Sequence, residues 1–594
     1  MSASQKERWR RDLARDIDAL VSAATNCATE HSADVAAVDP LHRDDAVNLL
    51  HYLALRHRDV RGLQRELAEH GLSSLGRAEP HVLATVLAVG DALGRSTRPL
   101  AHLDFTAGRQ ALDRNTDRLF GSRPAHRVPR IMVTLPTEAA HDASMVQRFA
   151  ERGMDVARIN GAHDDRDAWE GMARAVAAAS QAVGRPIPVC FDLPGPKLRT
   201  GPIAAGPQVL RLRPVRDARG VPVVPAHVTF GTGSDRGRVV PVDAGWLATC
   251  LEGDTIQLHD TRGSARIFVV TACEPGRVDA EVWDTTYLET GVTLHNRGRT
   301  TRIRWLPPVE QFLVLSPGDQ LRVTAGLAPV APWRTRMAGT PAIGCSRPEV
   351  FGAVRPGHRV MLDDGKFTGV VESTASGEFT IRIRSGPSRG ARLRSDKGMN
   401  VPDTDLPIPI VGDDDLPLLD VAAAYGELLG LSFLRNEADV DAVLERLDGI
   451  GADRLGLILK IETIRGFERL PAILLRAMQR PRVGVMIARG DLAVESSFER
   501  LAEVQEEILW LCEAAHVPVV WATEVLDQLA RTGRPSRAEI TDAAMAQRAE
   551  CVMLNKGPYV DVAIETLDDI LRRMAGHQRK KAALLRPLRS WNGA

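Results

Sequence analysis

Short apolar runs that stop abruptly at charged residues recur along this chain. The run that starts at Leu455 ends at Lys460 and Glu462, and the run that starts at Val483 ends at Asp491. Short, continuously apolar segments are typical of strands buried on both faces. Functional groups placed where such strands end predict a parallel barrel with its active site at the C-terminal ends of the strands.

The apolar runs number eight and are separated by segments long enough for helices. They begin at Arg130, Met154, Ile187, Leu428, Leu455, Val483, Val517 and Cys551. Eight strands, each followed by a helix, are the number needed to close a (β/α)₈ TIM barrel of the α/β class. Between the third and fourth runs the pattern changes to alternating apolar and polar positions with frequent turns, which predicts a β-rich insert, hinged on the barrel rim as a lid.

The predicted domains follow from these changes of pattern. They are an N-terminal helical extension (1–125), the first part of the barrel (126–201), the inserted β-rich lid (202–402), the second part of the barrel (403–575) and a basic C-terminal tail (576–594).

The N-terminal extension shows helical periodicity from Asn48 to Leu72, ended by Gly71, and again from about Pro80 to Leu93. These helices could cap the barrel or form a regulatory, partner-binding module. The cap is favoured, because amphipathic stripes more often pack into a core than form an interface.

Composition narrows the class of protein. The 594 residues are 44% hydrophobic and 26% charged, and the formal net charge is zero, so no global field would attract nucleic acid or an anionic membrane. Seven scattered cysteines form no CxxC motif, which argues against a zinc site or a disulfide framework. With neither a signal-type apolar segment nor a membrane-length run, we predict a cytoplasmic protein.

Charged and polar residues stand at the predicted strand ends, and in a TIM barrel they converge on one mouth. They are Arg158, Asn160, Asp192, Ser432, Lys460, Glu462, Asp491, Thr523 and Asn555. A lysine with two carboxylates there suits a magnesium-assisted reaction on an anion.

The sequence resembles the pyruvate kinase family. The matching segments are MDVARINGAH, FDLPGPKLRTG, LDDGKF, KGMNVPDTDLP, LSFLRNEADV, LKIET, IARGDLAVE, VWATEVLD and RTGRPSRAEITDAA, in order and at barrel spacing. The resemblance implies a glycolytic phosphotransferase that moves a phosphoryl group from phosphoenolpyruvate to ADP, giving pyruvate and ATP. It also implies a form without the family's C-terminal regulatory domain, with a homodimer through barrel faces as the expected assembly.

The resemblance implies a role for each matching residue. Glu462 and Asp491 would bind Mg²⁺ or Mn²⁺; Lys460, Arg158 and Thr523 would be catalytic; Gly490 would join Arg158, Lys460, Asp491 and Thr523 in binding substrate. Nucleotide contacts would come from Asn160, His163, Arg199, Asp364 and Lys397.

The chain departs from the family pattern around the potassium site. Ala162 and Leu193 replace two hydroxyl ligands, and Lys197 stands where most members have glutamate, as in potassium-independent members. We therefore predict that Lys197 supplies the missing positive charge and that K⁺ is not required. Pro194, Glu524 and Asn555 also differ from the family and bear on nucleotide fit and catalytic rate.

Two alternatives stay open. One is a lyase or aldolase acting on a 2-oxo acid, since related barrels use a carboxylate-held Mg²⁺ to stabilise an enolate. The other is a catalytically weakened relative that senses phosphoenolpyruvate or binds a partner. ADP binding would favour the kinase, because the Asp363–Gly365 segment and Lys397 would matter only for a nucleotide.

Overall fold

The structure is a computed structural model that describes residues 3–94, 104–233, 239–333, 339–580 and 582–583. It divides into two compact units, one formed by residues 1–198 with 399–594 and the other by residues 199–398. Most of the predicted basic tail, 584–594, lies outside the described residues.

A closed, parallel, eight-stranded barrel forms the centre of the first unit. Its strands are β1 (Arg130–Thr134), β2 (Val156–Asn160), β3 (Val189–Asp192), β4 (Leu428–Leu431), β5 (Gly456–Ile461), β6 (Val483–Ala488), β7 (Val519–Ala522) and β8 (Cys551–Leu554). The barrel closes where β1 pairs with β8. The predicted fold class is confirmed, and each of the eight apolar runs contains a barrel strand.

Helices cover the outside of the barrel between successive strands. They are Ala143–Glu151, Arg166–Val183, Leu416–Tyr425, Glu437–Gly449, Ile464–Glu468, Leu470–Ala477, Arg489–Ser496, Phe498–Ala514, Asp527–Thr532, Arg537–Met545 and Val560–Met574. Their apolar faces and the outward side chains of the strands form one continuous core.

The N-terminal extension is helical, as predicted. Its helices are Ala3–Glu30, Ser32–Ala37, Arg43–Arg56, Arg61–Glu69, Val82–Ala92 and Ala107–Phe120. The single helical stretch expected from Asn48 to Leu72 is in fact split at residues 57–60. The Asp59 carboxylate accepts the Arg61 backbone N–H there, a side-chain capping bond that favours a new helix start.

The helix Ala107–Phe120 closes the lower end of the barrel. Leu119 and Phe120 pack against inward-facing residues of the strands in a second, inner core. Gly456 and Gly484 make room for them, because a Cβ at Gly484 would lie 2.5 Å from Leu119 Cδ2 and one at Gly456 would lie 3.1 Å from Leu119 Cδ1. The other extension helices pack against barrel helix Phe498–Ala514 through Ala514, so the extension is a cap on the barrel.

The second unit contains two seven-stranded sheets and three two-stranded ones, and the second large sheet reaches the unit boundary at Leu198 and Asn400. In spatial order the first contains Arg299–Arg302, Thr293–Asn296, Thr255–His259, Ala265–Glu274, Arg277–Val282, Ala226–Gly231 and Val239–Pro241. The second contains Ala342–Gly344, Gln320–Thr324, Glu378–Ser385, Phe367–Ala375, Arg359–Leu362, Gly398–Asn400 and Leu198–Arg199. A β-rich insert after the third barrel strand is thus confirmed.

None of the helices in the described ranges is long and apolar enough to cross a membrane.

Candidate active site

Four charged side chains meet at the C-terminal ends of β2, β3 and β5. Arg158 Nε lies 2.9 Å from Asp192 Oδ2. Lys460 Nζ lies 3.2 Å from Asp192 Oδ1 and 3.0 Å from Glu462 Oε1. All four residues are buried, with Asp192 only 2% exposed. Asp192 is therefore the shared counter-ion of two buried cations.

The pKa values of this cluster show which charges the site maintains. Burial raises the pKa of Asp192, but Arg158 and Lys460 outweigh it and leave that pKa below its ordinary value. Burial lowers the pKa of Lys460, but Asp192 and Glu462 outweigh it and leave the pKa raised. Burial raises the pKa of Glu462, Lys460 lowers it, and the nearby charge of Asp491 raises it again, so the net shift is upward. The site keeps a lysine ammonium beside a carboxylate that is costly to ionise.

The loop after β4 holds both Lys460 and Glu462 in place. Ser432 Oγ accepts a hydrogen bond of 2.5 Å from Lys460 Nζ and donates one of 2.6 Å to the Leu193 carbonyl. The Phe433 backbone N–H donates to Glu462 Oε2 at 2.7 Å. Phe433 has a positive φ of 59°, an uncommon backbone conformation for a residue with a bulky side chain. This conformation directs the Phe433 N–H toward the buried Glu462 carboxylate, which needs a hydrogen-bond donor.

Asp491 lies in the first turn of helix Arg489–Ser496 and contacts Lys197. Lys197 Nζ is 2.7 Å from Asp491 Oδ1 and 5.6 Å from the centroid of the Phe433 ring. Lys197 thus brings a positive charge to the carboxylate predicted to bind metal. The resemblance to the family placed Lys197 at the potassium site, but it did not predict the ion pair with Asp491.

The backbone N–H of Gly490 donates to Thr523 Oγ1 at 2.9 Å. This contact joins the first turn after β6 to the end of β7 and brings two predicted substrate-binding residues together. Thr523 and Glu524 both have positive φ values, 64° and 59°. Strained backbone of this kind concentrates at functional sites, where the surrounding structure stabilises it.

Arg489 stabilises the contact between the first turn after β6 and the end of β7. Its guanidinium donates to Asp542 Oδ2 at 2.8 Å and to the Thr523 carbonyl at 2.6 Å, and lies 4.6 Å from the centroid of the Trp521 ring. Trp521 Nε1 also donates to Asp542 at 3.3 Å. Arg489 therefore holds the Thr523 backbone, Trp521 and Asp542 in place. Asp491, two residues later, instead contacts Lys197 in the site.

The predicted nucleotide residues fall into two groups. Asn160 Oδ1 accepts the Ala162 N–H at 3.2 Å at the end of β2, and His163 is exposed in the loop that follows. In the second unit, Arg199 donates to the Asp396 carbonyl at 3.2 Å, and Lys397 and Asp364 are close to Asp363, whose Oδ1 is 3.5 Å from Lys397 Nζ. Their assignment to a nucleotide stays a prediction.

Sequence reasoning missed several supporting residues. Thr134 at the end of β1 accepts from Arg158 Nη1 at 2.9 Å, and Phe433 and Asp542 act as described above. Thr134 could have been found, because it ends an apolar run as the other site residues do. A backbone N–H such as that of Phe433 leaves no trace in a sequence, and Asp542 lies on a helix far along the chain.

In the described part of the chain, no group of three or more His, Cys, Asp or Glu side chains is arranged to hold a metal ion by itself. Glu462 and Asp491 are a pair, and a site with two protein carboxylates is the type in which Mg²⁺ takes its other ligands from water and substrate.

The fold and site define a class: a TIM-barrel enzyme whose mouth gathers buried ammonium, guanidinium and carboxylate groups for chemistry on a small anion. A family model described as the barrel domain of pyruvate kinase matches residues 278–559. The pyruvate kinase of Mycobacterium tuberculosis is 27% identical over 449 residues, covering 74% of this chain and 69% of that protein. Pyruvate kinase PKLR of Homo sapiens is 30% identical over 297 residues, covering 48% of this chain and 49% of that protein.

A solved structure of a pyruvate kinase from Cryptosporidium parvum agrees in fold, with a TM-score of 0.52 at 19% identity, over 77% of this chain and 72% of that one. The chain is similar to pyruvate kinases along its barrel, and the resemblance inferred from its motifs is confirmed. Members of this family are phosphotransferases, so the chain is assigned to that enzyme class.

Proposed function

We propose that the protein catalyses phosphoryl transfer from phosphoenolpyruvate to ADP, giving pyruvate and ATP. The observation that carries the proposal is the buried cluster in which Lys460 and Arg158 are both held by Asp192. Phosphoryl transfer depends mainly on fixed positive charge around the moving group, because the transition state spreads negative charge over its oxygens. Two buried cations on one carboxylate supply such charge without reorganisation.

In this proposal Lys460 and Arg158 stabilise the phosphoryl group as it leaves phosphoenolpyruvate. The raised pKa of Lys460 keeps its ammonium protonated throughout the physiological pH range. Arg158 is held by Asp192 and by Thr134, so its guanidinium is preorganised before substrate arrives. Preorganisation lowers the barrier because the charges need not be gathered during the reaction.

Glu462 and Asp491 fit a divalent cation. The charge of Asp491 raises the pKa of buried Glu462, so the two carboxylates are close enough to repel, and a cation between them would relieve that repulsion. Mg²⁺ or Mn²⁺ would supply further positive charge toward the substrate's oxygens. In the ion-free state Lys460 and Lys197 balance the two carboxylates.

The metal assignment can be tested by titrating Mn²⁺ and following its free signal by electron paramagnetic resonance. Glu462→Gln should weaken Mn²⁺ binding, because one of two protein ligands loses its charge. Glu427→Gln is the matched control, since Glu427 accepts the Val189 N–H at the other end of the barrel strands. Equal Mn²⁺ affinity in both variants would contradict the assignment.

Thr523 and Gly490 would bind the substrate's carboxylate and lie near the carbon that takes up a proton when enolpyruvate becomes pyruvate. Thr523→Val removes the hydroxyl that now orders the Gly490 N–H. We expect oxalate, a mimic of enolpyruvate, to bind about tenfold more weakly, the scale of one lost hydrogen bond. Thr532→Val, on an exposed helix, is the control; oxalate affinity unchanged by Thr523→Val would rule out the role.

We propose that turnover needs no K⁺, with Lys197 supplying the charge. Lys197 already pairs with Asp491, and both oxygens of Asp192, a potassium-ligand position in most of the family, are engaged by Arg158 or Lys460. Activity should be the same in potassium chloride and tetramethylammonium chloride. Activity that is negligible until K⁺ is added would refute the proposal.

A lactate dehydrogenase-coupled assay with Mg²⁺, phosphoenolpyruvate and ADP tests the reaction itself. We expect pyruvate formation that depends on ADP and is lost in Lys460→Met. Equal activity in that variant would mean that a contaminating enzyme is being measured. ADP-independent turnover of a 2-oxo acid would favour the lyase, and phosphoenolpyruvate binding without turnover would favour the sensor. The homodimer, the cytoplasmic location and the nucleotide contacts of Asn160, His163, Arg199, Asp364 and Lys397 stay predictions.

A further inference from the structure

Two neighbouring strands connect the barrel with the insert, and both lead to the helix Arg489–Ser496. The second unit begins at residue 199 and ends at residue 398, so the chain crosses the unit boundary in the paired strands Leu198–Arg199 and Gly398–Asn400, the crossing strands. Lys197 directly precedes the first crossing strand, and its Nζ lies 2.7 Å from Asp491 Oδ1. The first crossing strand is therefore anchored to the helix through Asp491.

The second crossing strand contacts the same helix one turn further on. Asn400 Nδ2 donates to Glu495 Oε1 at 3.0 Å, and both residues are buried, with exposed fractions of 8% and 6%. Glu495 follows Asp491 by four residues, so the two carboxylates lie on one face of the helix. Lys197 thus holds that face at the first turn of the helix, and Asn400 holds it at the second.

The other contacts of the helix do not fix this face. Leu492 packs into the barrel core, and the Gly490 N–H holds the first turn against the end of β7. A cavity of about 80 Å³ lies next to Asn400 and Glu495, and Phe433 is also in its wall. A space of this size can hold water, so packing does not close around Glu495 on that side. There the hydrogen bond from Asn400, more than packing, sets the position of Glu495.

We propose that Glu495 is a positioning residue for Asp491 and that Asn400 acts through it. By fixing the second turn of a two-turn helix, the Asn400–Glu495 hydrogen bond orients the Asp491 carboxylate beside Glu462. The effect on metal binding rests on the proposed function, in which these two carboxylates hold the divalent cation. Hydrogen bonds that orient metal ligands in this way typically change metal affinity about 10- to 100-fold when they are lost.

Replacing Asn400 with aspartate separates positioning from simple charge. Asn400→Asp puts a second carboxylate against Glu495, and the repulsion should displace the second turn of the helix. Added negative charge near a cation site would by itself strengthen Mn²⁺ binding, whereas lost positioning weakens it. Mn²⁺ titration followed by electron paramagnetic resonance should therefore show binding about tenfold weaker than in the wild type. Unchanged or tighter binding would overturn the proposal.

A second substitution can restore the hydrogen bond with its donor and acceptor exchanged. In Asn400→Asp with Glu495→Gln, the glutamine amide donates to the aspartate carboxylate, and Mn²⁺ should bind nearly as tightly as in the wild type. The matched control is Asn400→Asp with Glu507→Gln, because Glu507 is exposed on the next helix, Phe498–Ala514. This control has the same net charge without the restored bond. Recovery in the control, or none in the exchanged pair, would contradict the positioning role.

Crystal structures without metal test the geometry independently of the proposed kinase activity. In Asn400→Asp the contact of Asp491 with Lys197 should lengthen or break, and in the exchanged pair it should return. Asn400→Ala removes the donor without burying a charge and should act in the same direction, so the test does not depend on the folding of Asn400→Asp. A wild type that fails to bind Mn²⁺ would refute the metal assignment, whereas an Asp491 that stays in place in both Asn400 variants would refute the positioning role.

Discussion

Replacing Asp192 with asparagine should destabilise the barrel strongly while changing almost no volume. Asp192 is 2% exposed and is the carboxylate that both Arg158 and Lys460 contact. Asparagine keeps the shape but removes the charge, leaving two buried cations with Glu462 alone to balance them. An uncompensated buried charge is among the few causes of large single-residue effects.

The magnitude follows from the two contacts. At 3.2 Å for Lys460 and 2.9 Å for Arg158, each attraction is about 5 kcal/mol at an effective dielectric constant of about 20. Removing the carboxylate also removes the cost of burying it, which offsets much of that sum. Broken buried pairs typically cost about 3–5 kcal/mol, and we expect Asp192→Asn to fall in that range.

The assay is equilibrium urea unfolding followed by tryptophan fluorescence, for which buried Trp521 in β7 reports on the barrel. The pH dependence gives a second signature. Because the folded pKa of Asp192 lies below its ordinary value of 3.8, its contribution is fully present above that pH and is lost as pH falls toward the folded pKa. The difference between wild type and Asp192→Asn should therefore shrink on acidification below about pH 4.

Two controls fix the interpretation. Asp12→Asn removes a carboxylate whose partner Arg15 is exposed, and should change stability by less than about 1 kcal/mol. Adding Lys460→Met to Asp192→Asn removes one of the stranded cations, so the double variant should be more stable than the sum of the single effects implies. An Asp192→Asn variant as stable as the wild type at neutral pH would refute the charge-balance argument.

Two further predictions concern buried carboxylates, one through charge and one through packing. Asp45→Asn should lower the free energy of unfolding by about 2 kcal/mol at pH 7, because burial raises the pKa of Asp45 but its histidine partners lower it to about 2. This loss should disappear as pH falls from about 3.8 toward 2. Exposed Asp44→Asn should show neither effect in urea unfolding. Gly430→Ala would place a Cβ 2.6 Å from Asp192 Oδ1 and should lower both stability and the coupled-assay rate. Gly449→Ala, a helical position with no atom within 4 Å of the new Cβ, should lower neither. Full activity in Gly430→Ala would mean that Asp192 can move freely.

The barrel could be predicted from sequence because its signal is local. Each strand is a short apolar run, and each candidate residue stands where a run ends, as Lys460 and Asp491 do. The roles within the site could not be predicted in the same way. Asp192 was identified as a strand end, but its position between Arg158 and Lys460 depends on the register between β2, β3, β4 and β5, which no local pattern encodes.

The extension illustrates the same limit at the other end of the barrel. Its helices were predictable from periodicity, but an amphipathic helix that plugs a barrel has the same pattern as one that packs on its side. The sequence signal of the plug lies in the strands that it contacts. Gly456 and Gly484 stand there among large apolar residues. Glycine in a strand interior marks a close approach of other atoms. At Gly484 the closest atom belongs to Leu119, and at Gly456 Leu119 approaches together with Leu428 and Arg482.

The interior of the barrel is filled differently at its two ends. The mouth buries four charged residues, Arg158, Asp192, Lys460 and Glu462, whose desolvation is costly even when they are paired. The base buries apolar side chains such as Phe120, each of which contributes about 1.5–3 kcal/mol on leaving water. The apolar plug of Leu119 and Phe120 therefore stabilises the end of the barrel that the extension covers, whereas the interior at the mouth holds charged residues suited to chemistry.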